Sequence, residues 1–266
     1  MQSFWNSVSG LNSSLSWLNT AANNISNENT PGFAQQHVSF ADTLTRQMSA
    51  ASTAPALAKR YTPPGWWSGS GVVSGNVESQ FSQMPLSTTG NPTDLAIQGN
   101  AFFLIGGPHQ TTYLTKAGNF QWSPMGNGTM MLSTPQGQPV LDVNGKPVVV
   151  QGTSSSTFGV SPGGKVTIDG KAGPTLAMVD VSLPGQNLSP VGNNLYQASS
   201  SAAPVVINKT GTSVGNSIVQ GALSQSNVNL TSAMTDMLSA QRMFDLNSQA
   251  LQLDNLMSQT AVSIRP

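Results

Sequence analysis

Apolar residues at the start of the chain fall into a regular step. Phe4, Val8, Leu11, Leu15, Leu18, Ala22 and Ile25 recur at alternating intervals of four and three, a repeat that predicts an amphipathic helix with a coiled-coil-like stripe. Trp5 and Trp17 flank the stripe. Asn, Ser, Gln and Thr fill the opposite face, with no charged side chain before Glu28. Ser and Asn are weak helix formers, so such a helix is marginal alone and needs something to pack against. The run stops at Asn29-Thr30-Pro31-Gly32-Phe33. There Pro31 fixes φ at the first central position of a turn, and Gly32 supplies the positive φ that a type II turn requires at the second.

A second helical pattern closes the chain. No Gly or Pro occurs from Leu230 to Val262, and Met243, Leu246, Ala250, Leu253, Met257 and Ile264 lie on one seam. Leu230, Met234, Met237, Phe244 and Leu251 lie beside it, and Asn229 or Thr231 is placed to cap the helix N-terminus. This stripe is wider than a single helix partner requires. The simplest arrangement packs the two ends together, with the middle of the chain as an insertion.

The middle reads as β structure. Two short apolar runs flank Gln98-Gly99-Asn100, and Val140–Val150 carries an Asn144-Gly145 pair, a strong hairpin signal. Gly126-Asn127-Gly128, Gly163-Gly164 and Asp169-Gly170 punctuate further strands, and Leu176–Leu183 alternates around Asp180. The stretch Ala50–Gly75, with Pro63-Pro64-Gly65-Trp66-Trp67, reads as an extended arm or linker. Trp66 and Trp67 are either buried or an interface anchor. The expected fold is therefore α+β. N- and C-terminal helices (residues 1–45 and 222–266) form a coiled-coil-like layer, residues 46–80 form an arm, and an all-β domain (81–221) is inserted between the helices.

Composition narrows the chemistry. The 266 residues include 10 basic and 10 acidic side chains, and charged residues make up 8%, where about 25% is usual. A neutral chain this poor in charge carries no electrostatic footprint for nucleic acid or anionic lipid. No run approaches the roughly 18 apolar residues that span a bilayer, so membrane insertion is not expected. The N-terminus lacks the basic and apolar regions of a secretory signal peptide. With no Cys and two His, thiolate chemistry, disulfides and multi-His metal sites are excluded.

Catalytic patterns also fail. Gly69–Gly75 lacks both dinucleotide and P-loop spacing, and neither His37 nor His109 lies near a nucleophile elbow. Asp142, Asp169 and Asp180 are the carboxylates that a carbohydrate-active β protein would use, but all three sit at turns or strands where Asp is an ordinary turn former. No enzyme activity, cofactor or metal is expected.

Three segments resemble one family. Ala22-Asn23-Asn24-Ile25-Ser26-Asn27 with Asn29–Phe33 is similar to the N-terminal motif of the flagellar axial proteins of the rod, hook and hook-associated parts. Thr93–Phe103 followed by Tyr113–Phe120 resembles the central motif of the rod and hook subset, with Ala101 where Gly is usual and Lys116 where Arg is usual. Gly221–Asn229 with Ala240-Gln241-Arg242-Met243-Phe244 resembles the C-terminal motif, with Ser224 in place of Glu and Phe244 in place of Tyr.

The resemblance implies a self-assembling structural subunit whose terminal helices form the inner layer of a tubular rod and whose β domain lies outside. The implied partners are further copies in a helical homo-oligomer, other flagellar rod and hook proteins, and the flagellar type III export apparatus. The implied place is the basal body, reached without a cleaved signal peptide. Room for a single β domain favours a rod subunit over a hook or hook-associated one, and the Gly71–Gly75 arm leading into Phe81 and Gly90 favours distal over proximal rod. The residues expected to carry assembly are Leu11, Leu15, Leu18, Ile25, Met243, Leu246, Leu253 and Met257, with Pro31 and Gly32 forming the turn.

Overall fold

Both apolar repeats fold as helices. In a computed structural model describing residues 2–42, 45–47, 67–69, 71–108, 111–126, 128–151, 157–199, 205–206 and 215–263, α1 spans Gln2–Ser26, α2 is a single turn (Pro184–Asn187), and α3 spans Leu230–Ser263. Trp66, His109 and Ile264 lie outside the described residues, as does most of the stretch expected to be an arm. The chain divides into two compact units. One gathers α1, the segment Gln36–Glu78 and α3; the other gathers Ser26–Gln35 and Ser79–Asn229.

In the first unit, strand Gln36–Asp42 pairs with Val72–Ser79, and Thr45–Gln47 pairs antiparallel with Trp67–Gly69. This arm is stitched along one side of α1. Ser9 Oγ accepts from the Val72 N–H at 3.3 Å, and Ser13 Oγ donates to the Val72 carbonyl at 3.4 Å. Trp17 meets Phe40 edge-on with centroids 5.8 Å apart. Asn24 donates to the Gln36 carbonyl at 2.8 Å and accepts from the Gln36 N–H at 2.9 Å, so its amide mimics one rung of a sheet. Ser9, Ser13 and Asn24 of the polar face of α1 are thereby bonded to the arm, while Asn12 and Asn19 stay exposed.

The second unit is built on a six-stranded sheet ordered Leu188–Gly192, Leu195–Ala198, Thr112–Thr115, Phe102–Gly106, Met178–Asp180 and Val205–Val206. Successive side chains on a strand face opposite ways, and Phe102 and Phe103 show it. Phe103 joins the main core with Leu95, Ile105, Leu132, Val166 and Met178, whereas Phe102 packs with Leu114, Val179, Leu188 and Tyr196. Both rings are fully buried, so this central strand is covered on both faces. Edge-on aromatic pairs fix each layer, with Phe103 on Phe120 (5.1 Å) and Phe81 on both Phe102 (5.2 Å) and Tyr196 (5.0 Å).

The sequence-predicted hairpin at Asn144-Gly145 forms as a tight turn. Its sides meet through isolated bridges, Leu141 to Pro147 among them, rather than long strands. Asp142 explains why: its Oδ1 accepts the N–H groups of Asn144 and Lys146, both at 2.8 Å. Entry and exit of the unit lie side by side. Ser217–Gln220 pairs antiparallel with Leu95–Gln98, and Ala222–Ser224 with Leu86–Thr88. A unit whose ends meet in one place can be inserted into a helical chain without straining either helix.

Candidate assembly interface

The two long helices pair, but not through the apolar seams. On α1 the residues turned inward are Gly10, Ser14, Trp17, Ala21 and Asn24, again at steps of four and three. On α3 they are Ala233, Met237, Ala240, Phe244, Asn247, Leu251 and Asp254, in the same rhythm. Ala21, Ala233 and Ala240 are buried at 2% exposure or less. Asn247 Nδ2 donates to Ser14 Oγ at 3.4 Å, and that hydroxyl donates to the Gly10 carbonyl at 2.8 Å. A Cβ on Gly10 would come within 2.8 Å of the Asn247 amide nitrogen, so a larger residue here would have to displace that side chain. Small and polar side chains therefore bring the helix backbones close.

The two ends pack together as the sequence predicts, and the faces that meet lie beside the apolar seams. Each inward stripe lies one residue away from the apolar seam, a rotation of about 100° about the helix axis. Among the expected assembly residues, Leu15 (40%), Met243 (49%), Leu246 (61%), Leu253 (60%) and Met257 (64%) are exposed, while Leu11, Leu18 and Ile25 are half-buried. Phe4, Trp5, Met234, Leu238 and Leu256 are exposed as well. Hydrophobic spacing passes over the Gly, Ser, Ala and Asn members of the inward stripes and marks Met237, Phe244 and Leu251 only as neighbours of the seam. Between α1, the arm and Met243 and Asn247 of α3 lies an apolar crevice of about 660 Å³, lined also by Gly10, Trp17, Phe40 and Val72.

The Pro31-Gly32 turn belongs to the β unit. The Phe33 N–H donates to the Thr30 carbonyl at 3.2 Å across the turn, and Gly32 has φ of 71°. The Gly32 N–H donates to the Ser224 carbonyl at 2.8 Å, and a Cβ at this position would collide with the backbone of Lys116 and Ala117. Asn194 Nδ2 donates to the Pro31 carbonyl at 2.9 Å. Asn227 works in the same way: its Oδ1 accepts from the Gln35 N–H at 2.7 Å, and its Nδ2 donates to the Gln80 carbonyl at 2.8 Å. The turn thus joins the C-terminal motif through a backbone hydrogen bond and lies against the central motif at Lys116–Ala117, with Asn194 and Asn227 binding backbone beside it.

Lys116 is the buried cation of the central motif. Its Nζ donates to the Gly99 carbonyl at 3.2 Å and stands 5.2 Å from the centre of the Phe102 ring. Burial pushes its pKa down from 10.5 to about 8, against the attraction of Asp180. Burial pushes the Tyr196 phenol up to about 12. Of the carboxylates singled out in the sequence, Asp142 closes its own turn, Asp169 accepts from the Thr157 N–H at 2.8 Å, and Asp180 ends the strand Met178–Asp180. Among the described residues there is no cluster of three or more His, Cys, Asp or Glu that could hold a metal. No described helix is long and apolar enough to cross a membrane.

Paired helices that leave an apolar surface open, joined in the chain to a β unit, have the build of a subunit that packs against other chains. Family models agree along the chain. Residues 5–33 match the flagella basal body rod protein model, residues 96–168 the D1 domain of flagellar hook protein FlgE/F/G, and residues 219–264 the C-terminal region of flagellar basal body rod FlgEFG protein. The chain is 31% identical to flagellar basal-body rod protein FlgG of Bacillus subtilis, over 100% of this chain and 99% of the relative. It is 29% identical to FlgG of Borreliella burgdorferi (97% and 96%), and 29% identical to flagellar hook-basal body complex protein FlhP of Bacillus subtilis (93% and 92%). The chain belongs to the flagellar basal-body rod protein family. Membership makes it a structural axial subunit of the extracytoplasmic basal body, assembling with other axial proteins.

Gly32→Val places a β-branched residue at positive φ and drives its Cβ into the Lys116–Ala117 backbone. The expected result is a destabilised β unit with a lowered urea midpoint; an unchanged midpoint would mean that the loop moves freely away. The Lys116 effect has a definite sign. Its folded pKa lies below its unfolded one, so the cost of burying the charge is fully present below about pH 8 and is relieved as pH rises toward 10.5. From pH 7.5 to 9.5, wild type should gain on the order of 1–2 kcal/mol relative to Lys116→Met. Parallel pH profiles for the two proteins in urea denaturation would contradict the assignment.

Proposed function

We propose that this chain is a rod subunit, distal rather than proximal, which polymerises helically into the hollow drive shaft that transmits torque and surrounds the export channel. The observation that carries this reading is the apolar seam of α3, with Leu246, Leu253 and Met257 each more than half exposed. Burial is deepest toward the end of α1 and the start of α3, as in an antiparallel pair. In such a pair the one-residue offset of both seams puts the α1 seam on one side of the pair and the α3 seam on the other. A contact between unlike faces does not close on itself and propagates along a helix. The neutrality of α1, with no charged side chain, lets neighbours pack without stranding an ion, which would cost several kcal/mol.

The FlgG relatives are rod proteins by name, and their match over nearly the whole chain supports the rod over the hook reading. Export through the flagellar type III apparatus, without a cleaved signal peptide, completes the proposal. Leu253→Asp tests it. Because Leu253 is 60% exposed in the single chain, the variant should keep the wild-type circular dichroism and melting temperature. It should nonetheless be absent from isolated basal bodies and leave cells non-motile, whereas Asp254→Asn should be mild. Normal incorporation of Leu253→Asp would remove the seam from the assembly surface.

A further inference from the structure

Of the described methionines, Met84 and Met178 are buried in the β unit, whereas Met125, Met234, Met243 and Met257 are exposed. Met234, Met243 and Met257 all lie on α3. Met243 and Met257 stand on the apolar seam itself, two heptads or about 21 Å apart, with Leu246, Ala250 and Leu253 between them. An aliphatic side chain resists mild oxidants, but a thioether in contact with solvent does not. We propose that Met243 and Met257 form an oxidation-sensitive modification site on the assembly seam. A peroxide converts them to sulfoxides in the free chain and so bars that chain from the assembly; in an incorporated chain, neighbouring subunits shield the sulfurs.

The inference rests on the assembly reading of the α3 seam. Its chemistry is a two-electron oxygen transfer. The sulfur lone pair attacks one peroxide oxygen, an S–O bond forms as the O–O bond breaks, and the departing hydroxyl takes the remaining proton and leaves as water. Sulfur is oxidised and the peroxide is reduced. Reversal requires a methionine sulfoxide reductase with a thiol reductant. In the free chain the new S=O group faces water, so the fold of the single chain is not disturbed. On a covered seam it is a polar acceptor set among Leu246, Ala250 and Leu253. Leaving such an acceptor unpaired lowers an association constant about tenfold to a hundredfold. Two sites this far apart act independently, so their effects multiply. An oxidised subunit thereby excludes itself, and subunits already in place are spared.

Two measurements test this. Purified full-length chain and isolated basal bodies are treated with dilute hydrogen peroxide, and sulfoxide at each methionine is followed by peptide mass spectrometry. In the free chain Met243 and Met257 should oxidise roughly tenfold faster than Met178, and in basal bodies both should slow by a similar factor. In parallel, Gln stands in for the sulfoxide, being polar, neutral and about as good a helix former as Met. Leu replaces the thioether at nearly constant volume. The double variant Met243→Gln with Met257→Gln should keep the wild-type circular dichroism and fall at least about tenfold in isolated basal bodies. Met243→Leu with Met257→Leu should incorporate as wild type does.

Seam methionines that oxidise no faster than Met178 in the free chain, or as fast in basal bodies as in solution, would overturn the proposal. So would wild-type incorporation of the Gln variant, or a Leu variant lost as fully as the Gln one. Leu253→Asp separates this idea from the reading beneath it. If Leu253→Asp is excluded while the Gln variant incorporates, the oxidation site fails alone; if both incorporate, the seam reading fails with it.

Discussion

A helix has one face for each partner, and the two long helices of this protein carry more apolar surface than one partner can cover. Everything else about the first unit follows from how that surplus is arranged. The faces that meet mix glycine, alanine, serine and asparagine with Trp17, Met237, Phe244 and Leu251. The apolar seams are turned by about 100° from them, and most of the seam residues are left open. Fully burying a Leu or Met side chain contributes about 1.5–3 kcal/mol, while association of two molecules costs about 4–15 kcal/mol in lost freedom. Five or so seam residues therefore break roughly even against one neighbour and gain clearly only when several neighbours share the work. Such a surface is poorly suited to an isolated chain and well suited to a lattice of like subunits.

The β unit shows the opposite strategy. Its apolar residues are spent internally, with Phe102 and Phe103 sealing both faces of the central strand, and several of its loops are fastened by amide side chains. Asn194 holds the Pro31 turn and Asn227 spans from Gln35 to Gln80, while two carboxylates also bind backbone, Asp142 within its own turn and Asp169 at the N–H of Thr157. The amide fastenings are neutral and lose little strength in salt, since screening acts on charges. Lys116 is a cation held in the interior by one carbonyl, one aromatic face and the attraction of Asp180.

Much of this was legible in the sequence, and the reasons differ by element. The bounds of α3 could be read because Gly and Pro are absent between strong punctuators, and α1 because the Asn-Thr-Pro-Gly-Phe run ends it within a few residues. The α+β class followed from the change of period between the ends and the middle. The pairing face of the helices did not follow, since hydrophobic spacing marks where a helix wants to be covered and says nothing of whether the cover comes from the same chain. Only the small-residue heptads, such as Ala233, Ala240 and Asn247, carry that information. Asn24 and Asn227 belonged to motifs recognised by resemblance. Their work as backbone splints joins positions as far apart as Gln35 and Asn227, and no local pattern discloses a partner at that distance.

The central claim is that the apolar seams are open in the single chain and covered in the assembly. Thiol accessibility measures this directly in a chain that has no cysteine of its own. Single variants Leu246→Cys, Leu253→Cys and Ala240→Cys would be treated with a maleimide, first as purified full-length protein and then in isolated basal bodies. The account expects the two seam thiols to react quickly in the free chain and to become strongly protected after assembly, with the Ala240→Cys thiol slow in both. Seam thiols that stay as reactive in the basal body as in the free chain would contradict it.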